Sequence, residues 1–159
     1  MNSAFLDFDK STFRSGEIDE VTSNSCTSLI SPGRERISKV ILIVDDDQRV
    51  RTVLQRLLFE AGYATIAAAD GWQGVELAKT RKPDLIVMDI LMPNMDGLIA
   101  CNIIKRDSVT GGIPIVIFTE INSELGKEIA KEVGADRYIT KPFGRDKLLD
   151  AISQLLPTS

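Results

Sequence analysis

The residues best suited to chemistry are polar side chains that end short apolar runs of the chain. They are Asp45, Asp46, Asp89, Thr119 and Lys141. Each run is short and rich in β-branched residues, which is typical of strands buried on both faces of a parallel sheet. Because the carboxyl ends of parallel strands lie at one edge, we expect these five side chains to meet there.

The charges of this group predict a metal site. Three carboxylates about 5 Å apart repel by about 3 kcal/mol per pair at an effective dielectric of about 20, and Lys141 offsets only one negative charge. The chain has no histidine and no cysteine near these residues, so the available ligands are oxygen atoms. Such a set selects a hard divalent cation, usually Mg²⁺. A carboxylate beside Mg²⁺ and an ammonium group is placed to attack a phosphoryl group.

Five strands and five helices alternate after residue 36, which predicts a doubly wound α/β domain at residues 37–159. The predicted strands span residues 40–44, 64–68, 85–88, 113–118 and 137–140. The predicted helices span residues 47–61, 70–80, 97–106 and 123–134, and a last one includes residues 148–156. Asp47, Asp70 and Ser123 are the expected N-caps, and Gly62 is the expected stop of the first helix.

Residues 1–36 have a different composition. They are rich in Ser and Thr, have no apolar periodicity and end in Ser31-Pro32-Gly33. We predict a flexible tail. Phe5, Phe8 and Phe13 leave a docking peptide as the alternative.

Composition narrows the possible partners and compartments. The net charge is −4 and the isoelectric point about 4.9, which argues against binding to nucleic acid. No apolar run approaches the roughly 20 residues that span a bilayer, and the first residues do not resemble a secretory signal. Two cysteines do not make a disulfide framework. We expect a cytoplasmic protein without a membrane partner.

The chain resembles the receiver domains of bacterial two-component response regulators over about residues 38–156. The resemblance is carried by ILIVDDD at 41–47, DLIVMDILMPNMDG at 84–97, IVIFT at 115–119 and YITKPF at 138–143. It implies a flavodoxin-like sheet with strand order 2-1-3-4-5. It also implies that Asp89 accepts a phosphoryl group from a histidine kinase or a histidine phosphotransfer protein.

The same resemblance implies the remaining ligands of the site. Asp46 and Asp89 would bind Mg²⁺ directly, Asp45 through water, and the carbonyl of Leu91 would complete the protein ligands. Lys141 would pair with the phosphoryl oxygens, and in the family its bond to the following proline is typically cis.

Thr119 and Tyr138 match the switch pair of the family. Phosphorylation would turn the hydroxyl of Thr119 toward the new oxygens and rotate Tyr138 inward. The surface formed by the fourth helix, the fifth strand and the fifth helix would then bind a downstream protein differently. The resemblance implies that the chain is not an enzyme. It would only assist its own phosphorylation and dephosphorylation. A monomer and a phosphorylation-dependent dimer are both compatible with it.

Glu120 departs from the family, which usually has a small residue after the threonine. A degenerate receiver that binds partners without phosphorylation is therefore the alternative. A flavodoxin-like cofactor binder is disfavoured because the first strand ends in acids rather than a Ser/Thr-rich phosphate loop. A phosphatase with an aspartate nucleophile is disfavoured because Leu91 stands where that class has a second aspartate. No output segment is recognisable after the receiver, so the expectation is a stand-alone domain.

Overall fold

The computed structural model describes residues 39–142 and 144–156. The strands are β1 (Val40–Val44), β2 (Ala64–Ala68), β3 (Leu85–Met88), β4 (Ile115–Thr119) and β5 (Arg137–Thr140). The helices are α1 (Gln48–Glu60), α2 (Gly71–Arg81), α3 (Gly97–Arg106), α4 (Glu124–Glu132) and α5 (Arg145–Leu155). The strands form one sheet in the order β2-β1-β3-β4-β5, with every neighbouring pair parallel. This confirms the predicted fold, whereas the tail predicted for residues 1–36 lies outside the described residues.

Alternate strand residues point to opposite faces of the sheet and build two apolar layers. One layer includes Leu42, Val44, Ile86, Met88, Ile115, Ile117, Ala78, Ala100, Ile104 and Ala130. The other includes Ile41, Ile43, Leu85, Val87, Val116, Phe118, Leu54, Leu58, Leu148 and Ile152. Burying each large aliphatic side chain stabilises the fold by roughly 1.5–3 kcal/mol. Helices cover both faces of the sheet. The polar residues that follow the parallel strands therefore lie at the carboxyl edge, which the helices leave open.

Short polar side chains cap four of the five described helices. The pairs are Asp47 with the N–H of Arg49, Asp70 with Gln73, Asp96 with Ile99 and Ser123 with Gly126. Each bond satisfies one of the free N–H groups of a first helical turn and is worth about 1 kcal/mol. The predicted caps at Asp47, Asp70 and Ser123 are confirmed, and Asp96 is a fourth.

The start of β4 corrects the prediction made from sequence. The predicted strand spans residues 113–118, but the observed strand begins at Ile115 and includes Thr119. Pro114 has no N–H to donate to a neighbouring strand, and the N–H of Ile113 bonds to the carbonyl of Thr110 at 2.9 Å. The N–H of Ile115 donates to the carboxylate of Asp136 at 2.8 Å.

The ends of α1, α2 and α4 differ from the predicted bounds by one or two residues, whereas α3 spans the predicted residues 97–106. α1 ends before Gly62, whose φ of 90° confirms it as the stop, since glycine adopts positive φ without strain. α2 ends at Arg81, one residue beyond the prediction. α4 ends at Glu132 instead of reaching Gly134, which itself has a φ of 96°.

Candidate functional site

Asp45 and Asp89 follow adjacent parallel strands and lie side by side. Val44 pairs with Met88 in the register of β1 and β3, so the next residue of each strand reaches the same edge. The N–H of Asp89 donates to the carbonyl of Val44 at 2.9 Å. Only 2% of Asp45 and 7% of Asp89 are exposed, so their carboxylates need partners within the protein.

The ammonium group of Lys141 bridges these two carboxylates. Its Nζ lies 2.8 Å from Oδ2 of Asp45 and 3.1 Å from Oδ2 of Asp89. The side chain is 13% exposed, and Nζ lies 4.9 Å from the centre of the Phe118 ring, a favourable place for a cation. The peptide bond between Lys141 and Pro142 is cis, as the resemblance implies.

Asp46 adds a third carboxylate at this edge. It is exposed, and Asp45, Asp46 and Asp89 each offer one carboxylate oxygen within 4.8 Å of the others. Hard divalent cations such as Mg²⁺ prefer ligand sets made only of oxygen atoms. The residues present therefore fit the Mg²⁺ site that the sequence predicts.

The pKa values of Asp45 and Lys141 are both raised, toward their protonated forms. Burial raises the pKa of Asp45 above its ordinary value, although hydrogen bonds from Lys141 and from the N–H of Asp47 oppose this. Burial alone would lower the pKa of Lys141, but its hydrogen bond with Asp45 and the charge of Asp89 outweigh it, so that pKa is raised. Both shifts favour bound protons. A cation bound beside Asp45 would favour the ionised form of this carboxylate instead.

Two backbone N–H groups hold the other oxygen of Asp89. Oδ1 accepts from Ile90 at 2.7 Å and from Leu91 at 3.4 Å. A cavity of about 250 Å³ adjoins this carboxylate. Its lining consists of Asp45, Asp46, Asp47, Val50, Asp89, Leu91, Glu120 and Lys141. Leu91 and Glu120 are both exposed, so the residue that departs from the family lines the site.

Thr119 and Tyr138, the predicted switch pair, both bond to the backbone of Ile121. The hydroxyl of Thr119 accepts from the N–H of Ile121 at 3.4 Å. The hydroxyl of Tyr138 donates to the carbonyl of Ile121 at 2.8 Å. Thr119 is fully buried and Tyr138 half-buried, and burial raises the pKa of Tyr138. The sequence gives no sign that Ile121 connects Thr119 and Tyr138, because both bonds go to its main chain and not to its side chain.

Two further residues contact the site through its backbone and were not identified from sequence. Nη1 of Arg51 donates to the carbonyls of Asp45 at 2.7 Å and Asp46 at 3.0 Å. A methyl group added at Gly97 would overlap the carbonyl oxygen of Asp89 and lie 2.8 Å from its carbonyl carbon. Arg51 is a half-buried residue of α1, and nothing in its spacing points to the backbone of Asp45 and Asp46. Gly97 stands out only as the last residue of the motif at 84–97 and as the start of a helix, which does not show its close approach to Asp89.

A five-stranded parallel sheet with a lysine-bridged cluster of aspartates at its carboxyl edge defines a receiver-like α/β protein. The model of the response regulator receiver domain family matches residues 41–153. The chain therefore belongs to this family, whose members are signalling proteins rather than classical enzymes. No described helix has both the length and the apolar character needed to cross a bilayer.

Two curated relatives cover the same part of the chain. Protein PilH of Pseudomonas aeruginosa is 38% identical over 116 residues, which cover 73% of this chain and 96% of PilH. The alkaline phosphatase synthesis transcriptional regulatory protein PhoP of Bacillus subtilis is 37% identical over 123 residues. That match covers 77% of this chain and 50% of PhoP. The chain thus spans about half the length of this transcriptional regulator.

A solved structure shares the fold and carries a metal ion in its cleft. The receiver domain of the sensor histidine kinase PA1611 from Pseudomonas aeruginosa matches with a TM-score of 0.71 and 29% identity. The match covers 76% of this chain and 99% of that one. In that structure a magnesium ion is coordinated in the active site cleft.

Proposed function

We propose that this chain is a signalling switch whose state is set by phosphorylation of Asp89. The proposed donor is a histidine kinase or a histidine phosphotransfer protein, since the chain has no histidine of its own. The observation that carries the proposal is the bridge from Lys141 to Asp89 and Asp45 beside an acidic cavity. We assign the function to a receiver domain at residues 37–159.

Mg²⁺ is the proposed cofactor of this domain. Its proposed ligands are Asp45, Asp46, Asp89 and the carbonyl of Leu91. The three carboxylates lie within reach of one ion, and Leu91 lines the same cavity. When bound, the cation would neutralise charge on the phosphoryl oxygens. The ion would also compensate the like charges of buried Asp45 and Asp89.

In the proposed reaction, a carboxylate oxygen of Asp89 attacks phosphorus. The bond between phosphorus and the donor's imidazole nitrogen breaks, and the imidazole leaves with the electron pair. Lys141 already lies 3.1 Å from the carboxylate, so its ammonium group can pair with the phosphoryl oxygens as their charge develops. The hydroxyl of Thr119 would donate a hydrogen bond to one of these oxygens. Hydrolysis of the acyl phosphate would reset the switch.

The proposed output passes through Ile121. The hydroxyl of Thr119 is bonded to the N–H of Ile121, and Tyr138 is bonded to the carbonyl of the same residue. A turn of the Thr119 hydroxyl toward a phosphoryl oxygen would change the first of these bonds. Phosphorylation would thereby favour one arrangement of the surface formed by α4, β5 and α5. The proposed partner of that surface is a downstream protein in the cytoplasm, bound by a monomer or by a phosphorylation-dependent dimer. The net charge of −4 disfavours nucleic acid as a partner.

Acetyl phosphate tests the proposal without a kinase. With Mg²⁺ present, we expect intact-protein mass spectrometry to show one added phosphoryl group, a gain of about 80 Da. Asp89→Asn should abolish the gain because it removes the nucleophile. Asp70→Asn, which changes only the N-cap of α2, should retain it. A gain that persists in Asp89→Asn would contradict the assignment of the acceptor.

The second candidate is a degenerate receiver that binds its partner without phosphorylation. It is favoured by one observation: Glu120 is exposed and lines the cavity beside Asp89, where its charge would repel a phosphoryl donor. Glu120→Ala separates the two candidates. Labelling that appears only in this variant would favour the degenerate receiver, whereas labelling of the unmodified chain would favour the switch.

A further inference from the structure

We propose that Arg51 is a positioning residue for the cation site and that it acts by holding the backbone that carries Asp45 and Asp46. This inference rests on the proposed function, because it concerns the cation that those carboxylates would bind. Arg51 contacts neither the carboxylate oxygens nor the reacting atoms. Arg51 would instead set the direction in which the carboxylates of Asp45 and Asp46 point.

One nitrogen of Arg51 bonds to two successive carbonyl groups. Nη1 lies 2.7 Å from the carbonyl oxygen of Asp45 and 3.0 Å from that of Asp46. Arg51 is in the first turn of α1, where a side chain leans back toward the helix N-terminus. It is half-buried. Arg51 therefore holds the loop between β1 and α1 at Asp45 and Asp46, the first two of its three aspartates.

This contact matters most for Asp46. Asp45 has partners for its carboxylate, since Oδ2 bonds to Lys141 and Oδ1 accepts from the N–H of Asp47. Asp46 is exposed, and no side chain in the described part of the molecule bonds to its carboxylate. Its two flanking peptide planes are the ones whose carbonyls Arg51 holds. The direction of its Cα–Cβ bond, and hence its place near the other two carboxylates, depends on that backbone.

The charge of Arg51 and its hydrogen bonds have opposite effects on the affinity for a cation. The direction in which the affinity changes when Arg51 is replaced therefore tests the inference. A guanidinium close to three carboxylates weakens the attraction for a divalent cation, so loss of its charge alone would tighten binding. Loss of the two hydrogen bonds frees the loop and would weaken binding. Residues that orient metal ligands typically affect metal affinity by 10- to 100-fold.

Arg49 provides a matched control. It carries the same charge two residues earlier, but it bonds to the carboxylate of Asp47 and its side chain is 91% exposed. Arg49→Gln removes one positive charge near the site and leaves both bonds from Arg51 to the loop intact. Arg51→Lys keeps the charge and a donor but shortens the reach.

The experiment measures the dissociation constant of Mn²⁺ from the unphosphorylated chain, with the electron paramagnetic resonance signal of free Mn²⁺ as the readout. We expect Arg51→Gln to raise the constant about tenfold. Arg51→Lys should raise it less, because an ammonium can replace part of the bonding. Arg49→Gln should leave it unchanged or lower it, because only charge is lost. Melting curves followed by circular dichroism establish that each variant is folded.

An unchanged or lower dissociation constant for folded Arg51→Gln would overturn the inference while leaving the proposed function intact. Should Arg51→Gln fail to fold, Arg51→Lys decides the question, and a constant equal to or below that of the unmodified chain overturns the inference. A rise of equal size in Arg49→Gln would also overturn it. Failure of the unmodified chain to bind Mn²⁺ would instead contradict the proposed cation site itself.

Discussion

Four aspartates near the carboxyl edge of the sheet differ in their burial and in their bonding partners. Asp45 and Asp89 are buried and share the ammonium group of Lys141. Asp46 is exposed, and Asp47 caps α1. Removing one partner of a buried ion pair leaves an uncompensated charge and costs far more than removing an exposed one. Lys141 therefore has a structural role that is separable from phosphoryl chemistry.

We expect Lys141→Met to lower the free energy of unfolding by about 3 kcal/mol at neutral pH without divalent cations. The variant leaves Asp45 and Asp89 close together and without their shared cation. Adding Mg²⁺ should recover part of the loss, because the ion would compensate the same two carboxylates. Urea denaturation with EDTA and with Mg²⁺ measures both effects.

Lys39→Met is the control for this prediction. Lys39 pairs with Asp84 at 3.1 Å, but the two side chains are 50% and 33% exposed. Loss of such a surface pair costs below about 1 kcal/mol. A loss in Lys141→Met as small as that in Lys39→Met would mean that the buried bridge contributes little to stability.

At the scale of elements, the start of α3 constrains the backbone of Asp89, the proposed acceptor. The N–H of Gly97 donates to the carbonyl of Ile90 at 2.9 Å, and Asp96 caps the helix. The first helical residue lies directly against the main chain of Asp89. A side chain at this place would have to displace backbone, which relaxes much less readily than a side chain.

Gly97→Ala should lower the free energy of unfolding by about 3 kcal/mol, because its methyl group would overlap the carbonyl of Asp89. The variant should also slow phosphorylation by acetyl phosphate, since it would displace Asp89, the proposed acceptor. Urea denaturation and mass spectrometry measure the two effects. Gly112→Ala is the control, because nothing lies within 4 Å of a methyl group there. Equal stability of the two variants would rule out the steric argument.

At the scale of the whole molecule, the site joins strands that are far apart in sequence. Lys141 bonds to residues 96 and 52 positions away, and the three carboxylates follow two different strands. These groups converge only when the sheet is complete, so a cation that binds all of them binds the native state alone. Binding of the proposed cation would therefore be coupled to folding.

Mg²⁺ should accordingly stabilise the whole domain. At a free concentration about ten times its dissociation constant, we expect a gain of about 1.4 kcal/mol in the free energy of unfolding. Urea denaturation in Mg²⁺ and in NaCl of equal ionic strength separates binding from screening. Asp46→Asn, which removes the exposed ligand, should lose most of the gain. Equal stabilisation by the two salts would exclude a specific site.

Local patterns predicted most of the elements because their causes are local. Short β-branched runs mark buried strands, and Asp47, Asp70 and Ser123 cap helices through bonds within one turn. The missed start of β4 has a partly non-local cause, because Ile115 bonds to Asp136. The same patterns indicated that the acids would gather at one edge, since parallel strands share their direction.

The sequence by itself determined the alternation of strands and helices, the kinds of polar group at the strand ends and an oxygen-only donor set. Only the tertiary structure decided which atoms meet. The bridge from Lys141, the two bonds from Arg51 and the close approach of Gly97 all depend on sheet register and on the rotation of each helix against the sheet. Register and rotation are set by packing across the entire core, and no short stretch of sequence contains that information.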